Sequence, residues 1–506
     1  MRTSKRARLA GIGILALGVL GALVFLGAFT LGGAILGQVP QGTAPFDAQK
    51  TYPADALKAD LQVLWDILDE GHGGFERYTP AVEQRQAFDA VRDGLTAPLT
   101  QLEFYARLLP LVAGIKDGHT HLDLSPRTDA TLDARPALFP FGLRFLGGNA
   151  YVLMDFTPDR GVGEGAEILA IEGKPVGDIL AALLPLIPAD AGIRTARIRR
   201  LEHPVTFGRL FGLRFGWRES FRIRFRPFKA EEVREMTVPG LTAVDFARIR
   251  RVRFPEPAEL KPAYELAFFD TIAVLTVRQF ADDPDETRPR FPEFLTAAFQ
   301  QLEEKKTPGL VIDLRGNGGG LDEYGKFLFA HVMDRPFLYY WALETKKDRY
   351  DLFRYTDETA ESAAELARPL SRNARGWFDV LGHPNRGLQA IRKPHFGGRV
   401  AILVDGGSFS ATGETTSAFH YYKKAVFFGE ECGSGYYGNT SGFMVTATLP
   451  ATRIRIRVPL ILYTMAVDGY PKDRGIVPDV PVTPAIEDLV AGRDVVMERA
   501  LAYLRK

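Results

Sequence analysis

Two short apolar runs, each breaking into glycine and then into a helical pattern, constrain this chain more than anything else in it. In "GLVIDLRGNGGG" the run from Leu310 to Ile312 ends in Asp313, Arg315 and Asn317, and three glycines precede the helical stretch "LDEYGKFLFAHVM". In "VAILVDGGSFSATGE" the run from Val400 to Val404 passes through Gly406 and Gly407 into the helical pattern "ATGETTSAFHYYKK". Runs this short and this continuously apolar predict strands buried on both faces, hence a sheet layered between helices. From about Leu266 to the end the same alternation recurs, as in "TIAVLTV" before "FPEFLTAAFQQLEEK" and "AVFFGE" after the second helix. An α/β domain over 263–506 is therefore expected.

Upstream the period changes. From Pro53 to about Val112 apolar residues follow the helical repeat, with Leu57, Leu61, Leu64, Ile67 and Leu68 on one stripe. The segment "DGHTHLDL" then alternates, which predicts His119, His121 and Asp123 on one side of a short strand. Residues 137–262 read mostly as strand, with a hairpin at Gly147-Gly148-Asn149 and a strand, turn and helix in "GAEILAIEGKPVGDILAALLPLI". The chain of 506 residues is too long for a single core. The divisions expected are a basic segment 1–8, an apolar segment 9–36, a linker 37–52, a helical domain 53–136, a β-rich domain 137–262 and the α/β domain 263–506.

At the N-terminus, Arg2, Lys5, Arg6 and Arg8 precede an uncharged run from Leu9 to about Leu36. A cleavable signal has an apolar core of about 7–15 residues, whereas a spanning helix needs about 20. A single-pass transmembrane helix is expected, its basic end cytoplasmic and the rest of the chain on the extracytoplasmic side. Formal net charge is +1, from 63 basic and 62 acidic residues, which does not fit a nucleic-acid partner. The one cysteine, Cys432, rules out a disulfide within the chain. The arginine clusters Arg194–Arg200 and Arg248–Arg253 read as solvated faces rather than as lipid or acidic-substrate contacts.

The two glycine loops carry the chemistry. Glycines opening a helix let backbone N–H groups face a ligand without Cβ obstruction, at the positive end of the helix. That suits an oxyanion hole or a phosphate cradle, and no Lys-Ser/Thr pair follows to make it a P-loop. A tight strand-to-helix turn is the plain alternative. Ser410, at the second turn, is a helix N-cap or a nucleophile presented by a sharp bend, with Ser408 as a competing cap.

Together the loops resemble the tail-specific, or C-terminal-processing, serine peptidases, including the tricorn-core-like branch. The matching pieces are "LVIDLRGNGGG", "ILVDGGSFSATGE", "FFGEECGSG" and "RGIVPDVPVTP", with "KDGHTHLDL" upstream, all in family order. The resemblance implies a crotonase-like ββα spiral for the catalytic domain and a PDZ-like fold for the β-rich one, degenerate because no G-L-G-F loop is present. It implies Ser410 as nucleophile and the N–H groups of Ala411 and of Gly318 or Gly319 as oxyanion donors. Many members use a lysine base within a G-E-x-x-x-G-K-G segment; the stretch here is "GEECGSGYYG", with Gly435 at that position. Lys423 and Lys424 come too early. The tricorn-like branch implies a histidine instead, which makes His119 the base, with His121 as its rival. The acid holding the imidazole is expected at Asp468, with Asp473 and Glu430 as rivals.

Cys432 is disfavoured as a nucleophile by Glu430 and Glu431 beside it. No H-E-x-x-H occurs, and neither a metal nor a cofactor is expected. The expected partner is a peptide or protein substrate. A different class stays open: a decayed relative that binds an apolar ligand or peptide without cleaving it.

Overall fold

The computed structural model describes residues 49–254, 261–357 and 369–506. The expected membrane segment 9–36 lies outside them. Among the described residues no helix is long and apolar enough to cross a membrane.

The predicted α/β layering forms around a six-stranded sheet. Its order is Tyr264–Phe269, Ile272–Val277, Gly309–Asp313, Arg399–Val404, Val426–Gly429 and Val480–Pro481, parallel except for the first pair. Alternate side chains leave opposite faces. Leu310, Ile312, Val400 and Ile402 pack with Leu295, Phe299, Leu328 and Phe419 from three helices. Val311, Ala401 and Leu403 meet Val496, Ala500 and Leu504 of the last helix, Val495–Leu504. Arg315 braces that helix with two hydrogen bonds of 2.7 Å to Asp494. Because neighbouring parallel strands run in register (Asp313 opposite Leu403), both glycine loops emerge side by side at the same sheet edge.

A second sheet has the order Leu370–Arg372, Phe378–Val380, Tyr340–Thr345, Arg455–Met465 and Thr440–Thr448. The upstream strand His121–Asp123 joins it antiparallel to Arg455–Arg457. That pairing, across more than three hundred residues of sequence, delivers the "DGHTH" segment to the α/β unit. The helix Ala54–Gly71 lies over the same sheet, and its predicted stripe is buried against Val458 and Leu460. Each such leucine contributes about 1.5–3 kcal/mol by leaving water.

The third sheet is antiparallel, in the order Phe141–Leu146, Asn149–Asp155, Glu167–Ile171, Ser220–Arg226 and Arg234–Pro239. Its first hairpin turns on Gly147 and Gly148, at φ +59° and +94°, so Asn149 belongs to the strand. Positive φ at both central residues is the twist a two-residue hairpin needs. The region is less purely strand than expected. Beyond the foreseen helix Val176–Leu183 it holds Arg194–Leu201, Pro204–Phe215 and Ala243–Arg253. In the second of these Phe207, Leu210 and Phe211 recur at the helical spacing behind an N-terminal proline. The first overturns the solvated reading of its arginines. Arg199 is buried among Glu202, Asp405 and Glu430, at 2.9, 3.0 and 3.3 Å.

Candidate active site

Side-chain and backbone bonds stitch the two glycine loops together. Phe409 N–H donates to Asn317 O at 3.0 Å, and Ser408 Oγ donates to Leu314 O at 2.8 Å. The Asp405 carboxylate accepts from Gly316 N–H at 2.9 Å and from Gly407 N–H at 2.8 Å. Ser408 is thus committed to the scaffold. Ser410 makes no capping hydrogen bond; its backbone stands at φ +59°, ψ −126°, immediately before the helix Ala411–Tyr421. A non-glycine residue at such angles is strained by about 1–3 kcal/mol and is retained where the surroundings over-determine it. The bend turns the hydroxyl off the helix axis instead of back onto its amides.

The hydroxyl meets His119. Its Nε2 lies 3.0 Å from Ser410 Oγ. His119 does not sit inside the strand, as the alternation predicts, but in the turn ahead of it. One oxygen of Asp117 accepts from His119 N–H at 2.9 Å and from Thr120 N–H and Oγ–H at 3.0 Å each. The ring packs on Phe409, with centroids 4.5 Å apart. Burial pushes its pKa down to about 4, more than the nearby Asp117 carboxylate raises it, while Arg200, Arg457 and His121 lower it further. At neutral pH the imidazole is therefore uncharged, the form that accepts a proton. His121, expected on the same strand face, points elsewhere; its Nε2 lies 3.5 Å from Asp123.

Asp468 is not brought to this pair. It lies exposed in the loop after Arg455–Met465, and the groups that act on His119 do not include it. Asp473 is also exposed, and Glu430 is engaged with Arg199. Such surface positions are solvated because the long strand ends before them and leaves its loop outside the core.

The carboxylates that do surround the imidazole are Asp117 and Asp190. Ligand atoms of Asp117, His119 and Asp190 lie within 4.8 Å of one another. Burial alone would raise the Asp117 carboxyl, but His72, His119, the Thr440 hydroxyl and the His119 amide together hold it low. His72 Nδ1 accepts from Gly74 N–H at 3.0 Å, so its proton is on Nε2, 2.7 Å from Thr120 Oγ. Asp190 accepts from Gly118 N–H at 2.8 Å, Ser434 Oγ–H at 3.1 Å and Gly435 N–H at 3.2 Å. It pins the base turn to the segment that follows the nucleophile helix. Asp117 stands in the quoted "DGHTH" motif, where its proximity to His119 was available as a signal. Asp190 carries none, since only the fold brings it near. The cluster is chemically capable of ligating a metal, but each carboxylate already accepts at least three hydrogen bonds, some of which a metal would have to displace.

The oxyanion side is narrower than the sequence expectation. Gly319 N–H donates to the Asn317 side chain at 2.9 Å, which leaves it committed. Among the described residues no hydrogen bond is recorded for Gly318 N–H or Ala411 N–H. Asn317 is fully buried and its amide also donates to Val277 O at 2.9 Å, so it holds the loop's shape. Gly319, at φ +102°, abuts the nucleophile: a Cβ there would stand 2.7 Å from Ser410 Cβ and 3.0 Å from Ala411 N.

At Gly435, the place of the absent lysine, any Cβ would run into the hydroxyl of Tyr78. Lys424 is engaged 2.8 Å from Asp334, beyond the far end of the nucleophile helix. The Cys432 thiol is fully buried, pushed up to about 12 by desolvation, and donates to Ser408 O at 3.0 Å. One turn beyond Ser410, burial raises Glu414 to about 8; it meets the Tyr340 hydroxyl at 2.6 Å and the Asn439 amide at 2.9 Å.

The model of peptidase family S41 matches residues 271–482. The carboxy-terminal processing protease CtpB of Bacillus subtilis (strain 168) is 29% identical over 113 residues, which is 20% of this chain and 23% of that protein. The match thus spans less than a quarter of that relative's length. Among solved structures, mature CPAF superposes with a TM-score of 0.58 at 15% identity, covering 90% of this chain and 96% of that one. Mature CPAF complexed with lactacystin gives 0.60 at 15% identity, covering 89% and 98%. These two share the fold across nearly the whole described chain. By the family match, which takes in both glycine loops and the nucleophile segment, residues 271–482 form a domain of peptidase family S41.

Proposed function

We propose that the protein is a serine peptidase in which Ser410 is acylated with His119, rather than a lysine, as base. The observation that carries this reading is the 3.0 Å contact between His119 Nε2 and Ser410 Oγ. Ser410 attacks a peptide carbonyl as His119 takes its proton, and His119 returns that proton to the leaving amine. Water then enters by the reverse route and releases the acyl group. The amides of Gly318 and Ala411 receive the developing oxyanion, each typically worth about 3–4 kcal/mol in the barrier. Asp117 favours the imidazolium through space and fixes the turn that carries it. It does not hold the ring as was expected of Asp468, since His119 Nδ1 is buried without a hydrogen-bond partner among the described residues.

In this reading the antiparallel sheet Phe141–Pro239 is a degenerate PDZ-like unit and the layered α/β part a crotonase-like spiral. Residues 9–36 tether the chain in a membrane, with the catalytic part on the extracytoplasmic side; the length and charge flanks of that segment support this. The substrate is a peptide or protein chain.

Capture of a fluorophosphonate probe by the full chain tests the proposal. Capture is expected to vanish in Ser410→Ala and to fall about 10²–10⁴-fold in His119→Ala. A wild-type chain that is folded yet inert to the probe would instead support a binding module descended from an enzyme.

A further inference from the structure

Near the base, with His121 and Arg200 in its wall, lies a half-open cavity of about 200 Å³. Its walls are mainly apolar: Tyr105 and Leu109 from the helix Gln101–Gly114, Leu186 from the turn Leu184–Leu186, Leu210 and Leu213 from the helix Pro204–Phe215, and Trp217. Its charged groups are spoken for. Arg209 bonds Asp129 at 3.1 Å and Asp133 at 2.7 Å, Arg200 donates to two backbone carbonyls, and Asp123 lies 3.5 Å from His121 Nε2. A charged ligand would gain no uncommitted counter-ion there and would lose its hydration, whereas an apolar group gains by leaving water.

Two wall residues tie the cavity to the site. His121 follows His119 by two residues. Arg200 donates to Gly118 O at 2.9 Å and to Pro188 O at 2.7 Å, and its guanidinium lies 5.3 Å from the ring centre of Phe409, next to Ser410. Arg200 therefore touches both the cavity and the residue before the nucleophile, so the two are separated by little more than one arginine side chain. An extended peptide advancing about 3.3 Å per residue covers that span within a few residues.

We infer that the cavity receives a large apolar side chain of the peptide substrate, of leucine, phenylalanine or methionine type, within a few residues of the scissile bond. The inference rests on the acyl-transfer reading above, but its test does not need turnover. Full-length Ser410→Ala protein is titrated with capped peptides that differ only by leucine, alanine or glycine at one position, and Trp217 fluorescence is followed. Trp217→Phe protein identifies the signal against Trp65, Trp341 and Trp377.

The leucine peptide is expected to bind about tenfold or more tightly than the alanine one. Thr206→Phe, which fills the cavity from a half-buried position, is expected to erase that preference. Leu213→Ala, which enlarges the cavity, should shift the preference toward tryptophan and serves if Thr206→Phe fails to fold. Equal affinities across the series, or a preference that survives Thr206→Phe, would overturn the inference. Failure of wild-type protein to capture the fluorophosphonate while the binding preference persists would remove the peptidase reading alone.

Discussion

Gly319→Ala puts the relation between the two loops to a quantitative test. The new methyl carbon would begin 2.7 Å from Ser410 Cβ, 2.9 Å from Phe409 O and 3.0 Å from Ala411 N. Non-bonded carbons settle at about 3.5–4.0 Å, so the nucleophile and the glycine loop must part by roughly 1 Å. Such a shift would stretch the 3.0 Å link from His119 to Ser410 beyond hydrogen-bonding reach. Misplacement of a reacting group by about 1 Å costs on the order of 100-fold in rate. The left-handed φ adds on the order of 1–3 kcal/mol of strain to the folded state. The assay is the second-order rate of fluorophosphonate capture, with kcat/KM on a peptide and a thermal melt alongside. Gly177→Ala is the control, since its Cβ would meet nothing within 4 Å on the exposed side of its helix. Capture by Gly319→Ala within twofold of the parent would refute the argument that this glycine is demanded by contact with the nucleophile.

Two further outcomes follow from the same geometry. The base must be neutral to act, and burial disfavours its charged form, so protonation should come at lower pH than for free histidine. The acid limb of kcat/KM is expected near pH 4 instead of 6.5, read over the range in which circular dichroism shows the chain folded; a midpoint above 6 would contradict it. Gly435→Ala should lower the melting temperature through collision with the Tyr78 hydroxyl, and Tyr78→Phe should recover part of the loss. Strictly additive melts would show that the two positions do not meet.

Some of this was legible early because local pattern and burial agree. Leu57 to Leu68 repeat at the helical spacing and are buried on one face, and the runs at Leu310 and Val400 are sandwiched strands because nothing polar interrupts them. The nucleophile and its glycine neighbours could be located for the same reason: each sits where an apolar run breaks. Local pattern misled where tertiary contacts decide. The alternation of "DGHTHLDL" suggested one strand, yet Asp117 captures the amides of His119 and Thr120 and makes a turn of its first half. Arg199 reads as solvent-facing until Glu202 at the end of its own helix and Asp405 and Glu430 from distant segments surround it.

The amino-acid order alone determined which segments of the α/β unit are strands, where the sharp serine turn falls, and that no lysine stands at position 435. Folding decided which acids surround the histidine, because Asp190 is distant in sequence from Asp117 and His119 and is brought to their turn by contacts such as the bond from Gly118 N–H. The physical reason is that backbone periodicity is a property of neighbouring residues, whereas a buried charge finds its partner in whichever segment packing brings within a few ångströms.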